Sequence, residues 1–209
     1  MSISQKKLFL KSEGDNYFLR NQEKILKKDF SKDKITKILK SYLKKNSKKK
    51  ILEIGCSAGL RLSYLKKIFT KSDFYGIDPS KKAINSNKDK SITLRVGTAD
   101  NIAMLKKYDF IIFGFCLYVC DDNDLFKIAS DTYKLANKNA YIIIEDFDTG
   151  KTIYENYKHK KDLTVRKMNY AKIFTWHPKI ILIKKYFYKF KWKLKSQKDN
   201  ISVVILKKK

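Results

Sequence analysis

Apolar residues along the chain fall into two spacings. Short, near-continuous apolar runs at 51–54, 74–77, 92–96, 109–115 and 140–145 have the length of buried strands. Between them the spacing becomes helical. Ile35, Ile38, Leu39, Tyr42 and Leu43 repeat at i, i+3, i+4, i+7, i+8, the stripe of an amphipathic helix, and residues 16–29 also look helical. Lysines between 44 and 50 close the first pattern and lead into the strand at Ile51. Leu62, Leu65, Ile68 and Phe69 mark the inner face of the next helix, and Leu125, Ile128 and Ala129 that of a later one, which Asp121, Asp122 and Asn123 are placed to cap. The chain ends differently. Strand-like runs at 180–190 and 200–206, separated by the turn-prone Ser196–Asn200, predict a hairpin.

Strands alternating with helices predict an α/β fold, a parallel sheet with helices on both faces. Ligands of such sheets bind outside the carboxyl ends of the strands, where the strand order reverses. At 209 residues the chain suits one domain with a sizeable core. It is read as an N-terminal helical lid over 1–45, a cofactor-binding core over 50–146, and a substrate insert with the terminal hairpin over 147–209.

Composition adds limits. The longest apolar run, Phe110–Cys120, is far short of the roughly 20 residues that span a bilayer, so no membrane span is expected. Cys56, Cys116 and Cys120 make an odd set without metal-ligand spacing, which suits a cytoplasmic location and no metal site. The net charge of +27 points towards nucleic acid, but only four of the 48 basic residues are arginines. Proteins that read bases and phosphates favour arginine's planar fork, so a solvated basic surface is the preferred reading.

The chemistry concentrates after the first strand. Glu53-Ile-Gly55-Cys56-Ser57-Ala-Gly59 is a small-residue turn opening a helix, and Gly76-Ile-Asp78-Pro79 ends the next strand with an acid. Such a turn lets backbone N–H groups approach a ligand, and an acid at the neighbouring tip can accept both hydroxyls of a ribose. The dinucleotide fingerprint G-x-G-x-x-G is not met, since Ser57 holds its middle position. A sulfonium nucleoside carries no pyrophosphate, and it tolerates an acid such as Glu53 beside the turn. This arrangement resembles the class I S-adenosylmethionine-dependent methyltransferases, with 53–59 as their first motif and Asp78 as their ribose acid.

The resemblance implies a Rossmann-like seven-stranded sheet, five parallel strands plus a C-terminal hairpin, and S-adenosyl-L-methionine as cofactor. It implies that Asp100 and Asn101, after the third strand, contact adenine. Phe115 and Tyr118, around the end of the fourth strand, would lie between cofactor and acceptor. The Asn/Asp-Pro-Pro-Tyr tetrad of base-amine methyltransferases is missing there, and Cys116 has no basic neighbour to make it a nucleophile, so it reads as a core cysteine. Cys56 and Ser57 are expected to act through backbone. Glu13 to Asn21 and Glu145 to Pro178 are similar to methyltransferases of bacterial surface-sugar (pseudaminic-acid-type) biosynthesis.

A hydroxyl or ammonium acceptor must lose a proton, and His159, in a polar insert, is the candidate base, with Asp146 to orient it or bind sugar hydroxyls. Tyr17, Arg20 and Asn21 are candidates for a lid, with Arg20 pairing a carboxylate of cofactor or substrate. The expected activity is methyl transfer to a small polar acceptor, a sugar or nucleotide-sugar first, with tRNA or rRNA as the alternative.

Overall fold

The computed structural model describes residues 4–102, 106–161, 163–188 and 200–209. Its sheet has the order β3-β2-β1-β4-β5-β9-β8. Strands β1 (Lys50–Ile54), β2 (Asp73–Asp78), β3 (Thr93–Val96), β4 (Tyr108–Gly114) and β5 (Ala136–Phe147) are mutually parallel. A hairpin-like pair, β8 (Ile180–Tyr188) and β9 (Ile201–Lys208), completes the seven strands, with β9 antiparallel to both β5 and β8. The sequence expectation of five parallel strands and a terminal antiparallel pair is met. The turn expected at 196–199 and the notional strand end at 189–190 lie outside the described residues.

Alternation along each strand divides the core. Leu52 and Ile54 of β1 face the same side as Ile111, Phe113, Ile142 and Ile144, and are covered by α6 (Leu125–Leu135) and α7 (Lys172–Thr175). Ile51 shares the opposite face with Phe110, Ile112 and Ile143, under α3 (Lys34–Tyr42) and α4 (Leu60–Ile68). Because side chains alternate with period two, Glu53 falls on the α4 face, which brings it to Arg61. Helix α3 therefore belongs to the core rather than to a lid. Asp33 caps it by accepting from the Thr36 N–H at 3.0 Å.

Several short elements, α7 among them, were not legible in the apolar pattern. Helix α5 (Lys81–Ser86), six residues long, starts at Ser80, whose hydroxyl accepts from the Ala83 N–H. Strands β6 (Ile153–Asn156) and β7 (Thr164–Lys167) form a small separate sheet. The N-terminal segment is one helical rod: α1 (Gln5–Leu8), a π turn at Phe9–Glu13, and α2 (Gly14–Leu26). It begins and ends earlier than the expected 16–29. Among the described residues no helix is long and apolar enough to cross a membrane.

A candidate cofactor cleft under the N-terminal helix

The bend after β1 is built by backbone geometry. Gly55 and Gly59 both have positive φ, +74° and +65°, and a Cβ on Gly55 would lie 2.6 Å from that of Cys116. Ser57 adopts φ 51° without glycine's freedom, and Phe115 does so across the cleft at φ 61°. Non-glycine residues held in this region cluster where a site needs a particular backbone direction.

The bend is tied to the tip of β2. The N–H groups of Gly55 and Cys56 donate to the Ile77 carbonyl at 2.9 and 3.1 Å. The Ser57 N–H donates to Asp78 Oδ2 at 2.7 Å, and the Ser80 N–H to Oδ1 at 2.9 Å. Each carboxylate oxygen thus keeps lone-pair capacity for a further donor. Asp78 is recessed but still faces the cavity; burial pushes its carboxyl up to about 6, against the two N–H groups that hold it down.

Glu53, at 2% exposure, is handled differently. Arg61, buried on α4, contacts Glu53 Oε1 through Nη1 and holds Asp33 through Nε at 2.9 Å. Lys28 adds a second cation at 2.7 Å from Asp33. Burial pushes the Glu53 carboxyl up to about 7, and the Arg61 guanidinium keeps it from rising further. Burial also acts to raise Asp33, but Arg61 and Lys28 outweigh it and hold that carboxyl well below the usual range.

These residues line a cavity of about 210 Å³ running from Lys28, Phe30 and Arg61, past the bend and Asp78, to Phe115, Tyr118 and Val119. A second cavity of about 60 Å³ adjoins it, sharing Phe9, Gly55, Pro79, Cys116 and Val119 and reaching Asp100 and Ile128. The N-terminal rod roofs both, through Phe9, Gly14 and Tyr17 over the larger and Lys6 over the smaller.

That roof is fastened at three places. Asp121 caps α1 from a distance, accepting from the N–H groups of Gln5 at 2.9 Å and Lys6 at 3.1 Å, rather than capping α6 as expected. Gly14 rests on the backbone after β2, where a Cβ would lie 3.0 Å from the Ser80 nitrogen. Asp15 accepts there from the Ser80 hydroxyl and the Lys82 N–H. The buried Glu13 accepts from the Tyr157 hydroxyl at 3.1 Å and pairs with Arg20.

Several expected site residues converge. Glu53, Gly55, Cys56, Ser57, Asp78, Pro79, Phe115 and Tyr118 line the larger cavity, and Asp100 the smaller. Gly59 supplies the left-handed N-cap of α4. Asp100 is not free, since Lys6 sits 2.9 Å from it and also 2.9 Å from Asp124.

Others go elsewhere. Arg20 points to Glu13 and Tyr157, so its charge is already spent within the protein. Asn101 is exposed in a turn and lines neither cavity. His159 is exposed, its ring edge-on to Tyr157 at 5.6 Å, away from both cavities. Asp146, at 1% exposure, accepts from the N–H groups of Leu117, Tyr118 and Phe147; burial pushes its carboxyl up to about 7 despite them. It acts on Tyr118 through the backbone and does not line the cleft. The Tyr118 ring packs in turn against Phe115 and Phe147, with centroids 5.6 and 5.3 Å away. Cys116 is half-buried in the cleft wall and packed against the core, its thiol pushed far up by desolvation, in keeping with an unreactive cysteine.

The expected cofactor suits this donor set. Glu53 Oε2 and Ser57 Oγ are buried and have no hydrogen-bond partner among the described residues, and both belong to residues lining the larger cavity. The wall thus offers groups of the kinds that a ligand with an ammonium, a carboxylate and ribose hydroxyls requires: Glu53, Arg61 with Lys28, and Asp78.

Comparisons with known proteins bear on the fold and the family. No curated protein matches the chain by sequence. The structure is similar to 1,6-didemethyltoxoflavin-N1-methyltransferase of Burkholderia thailandensis, solved with S-adenosylhomocysteine, at a TM-score of 0.75 and 10% identity over 97% of this chain and 88% of that one. It is also similar to a TehB-like methyltransferase of Corynebacterium glutamicum (0.65, 16%, 95% and 99%) and to the N-methyltransferase NodS of Bradyrhizobium japonicum (0.61, 14%, 87% and 89%). At these identities the likeness speaks for the fold. The family model described as a methyltransferase domain matches residues 22–179, which is most of the chain. The chain belongs to this methyltransferase family, whose methyl donor is S-adenosylmethionine.

Proposed function

We propose that the chain methylates a small acceptor held between the bend after β1 and the N-terminal rod, with a sugar carrying an amino group as the acceptor class. One observation carries the reading: an acid at the tip of β2, anchored by two backbone N–H groups, faces the same cavity as Glu53 and its cations. Asp78 holds the ribose hydroxyls, and Gly55 lets the chain pass close to the ligand. Arg61 and Lys28 face the carboxylate of the methionine portion and Glu53 its ammonium. Bound there, S-adenosylmethionine supplies the electrophilic methyl group and its own leaving group.

The protein's share is position and dryness. Phe9, Tyr17, Phe115 and Tyr118 wall the acceptor side, where aromatic rings can stack on the C–H face of a sugar. Among the described residues lining the two cavities there is no histidine, and the carboxylates there are already engaged by Arg61, backbone N–H groups or Lys6. That disfavours a hydroxyl needing a base and favours a nitrogen that enters as the free amine. The roof, fastened at three places, favours a small molecule over a polymer.

Calorimetry with S-adenosylhomocysteine tests the site. Losing the charged acceptor in Asp78→Ala should cost about 1.5–3 kcal/mol, roughly 10- to 150-fold in affinity. Unchanged affinity would overturn the assignment. A panel of amino sugars, neutral sugars and tRNA, read by S-adenosylhomocysteine release, separates the acceptor classes.

A further inference from the structure

The cleft uses only a few of the cations that make up the net charge singled out in the sequence, Lys6, Lys28 and Arg61 among them. At the opposite end of the sheet, Lys107, Lys138, Lys179, Lys208 and Lys209 line one open cavity of about 750 Å³ with Tyr133. Lys107 precedes β4 and Lys179 precedes β8, while Lys208 ends the antiparallel β9, so all belong to the amino-terminal side of the parallel strands. The seven residues of β4 separate this end from the cleft by about 20 Å.

Among the described residues none of these five lysines has an ion-pair partner. Asp109, on the strand that follows Lys107, already accepts from Asn137, Lys49 and the Lys50 N–H. Lys208 is held in place by the carbonyls of Tyr133 and Ala136, at 2.8 and 3.0 Å, and lies 3.9 Å from the centroid of the Tyr133 ring. Burial, and then repulsion from Lys107 and Lys179, pushes its ammonium below the ordinary value. Aromatic rings continue from it: Tyr133 stacks near His177 at 4.0 Å, and His177 meets Trp176 edge-on at 6.0 Å. Trp176 is 67% exposed, an unusual position for so large an apolar ring.

Clustered point charges beside an open ring are the means by which single-stranded nucleic acid is held without base-edge reading. We propose that this cavity docks a single-stranded RNA segment, its phosphates on Lys107, Lys138 and Lys179 and a base on Trp176. Lysine suits this role where arginine's bidentate fork is not needed. The docking is separate from methyl transfer, since the cleft opens at the other end of the sheet.

The test is anisotropy of a labelled uridine oligonucleotide across a salt series. Three full-length variants are compared: Lys138→Glu/Lys179→Glu, a control with the same charge change at the exposed Lys71 and Lys88 (K71E/K88E), and Trp176→Ala. The first pair should lose roughly tenfold or more in affinity and lower the salt slope by about 1.4, while the control pair loses little. Trp176→Ala should weaken RNA several-fold and leave inorganic polyphosphate unchanged. S-adenosylhomocysteine affinity should stay the same in all three, which reports intact folding. Equal loss in both charge-reversal pairs, no binding by the unmodified protein, or equal or tighter binding of polyphosphate or phosphatidylserine vesicles would each overturn the proposal.

Discussion

The two sides of the cleft carry acids at the tips of neighbouring strands, and they are stabilised by opposite means. Glu53 is closed in by a cation and belongs to a chain of charges, Glu53–Arg61–Asp33–Lys28. Asp78 is held only by backbone N–H groups and stays open to the cavity. A buried carboxylate whose charge is cancelled by a guanidinium becomes part of the scaffold. One that is merely solvated by N–H groups keeps capacity for something that arrives later. Both carboxylates border the cavity, but only Glu53 is also tied into the charge network that holds the fold together.

The largest expected effect breaks the scaffold side. Arg61→Ala leaves Glu53 and Asp33 buried without their shared partner, and such losses cost about 3–5 kcal/mol. Urea denaturation should show it, with Arg61→Lys between the two; a loss below about 1 kcal/mol would mean that the network is dispensable. Asp78→Ala should do the reverse, with the affinity loss given above and little change in the urea midpoint.

The pH response sharpens the contrast. Asp78's carboxyl sits at about 6 in the folded protein against about 3.9 unfolded. The folded state therefore binds more protons between those values, and stability of the ligand-free protein from this group falls as pH rises from about 4 to about 6. Cofactor affinity should move the other way, falling as pH drops through about 6 and the acceptor is protonated. Calorimetry on Asp78→Asn should show a flatter profile; an identical profile would remove Asp78 from the site. A smaller effect is expected from Lys6→Ala, which unfastens a partly exposed pair worth about 1 kcal/mol or less. Faster hydrogen exchange in residues 5–26 would report the loosened roof. His159→Ala should change turnover by no more than roughly twofold, as for an exposed residue outside the cleft.

What was legible followed from local chemistry. Gly55, Gly59 and Asp78 have backbone reasons visible within a few residues, so the bend and its acid could be read directly. The strands followed from apolar runs, but their order in the sheet left no local signal and came only with the structure. The rod's role was not legible, because its fastenings lie 117 and 144 residues away, at Asp121 and Tyr157. Helix α5 and strands β6 and β7 are too short and too polar to leave a period. Asp146 was the right chemical type in the wrong place. It shares the phase of Ile142 and Ile144 on β5, both core residues, and that alternation marks it as inward-facing. Arg61 also left a signal. In a chain that uses lysine almost everywhere, an arginine two residues after the bend marks a position where a planar fork must span two carboxylates.

The distance in sequence between the rod and its anchorages bears on how the molecule assembles. The cost of closing a loop grows with its length, and long-range contacts slow folding. Glu13 on the rod gains its partner only when Tyr157, 144 residues further along the chain, is in place, so the cover over the cleft is expected to be the last piece to settle. Refolding followed at Trp176 and at the N-terminal segment should therefore give two separate phases, the second belonging to the cover.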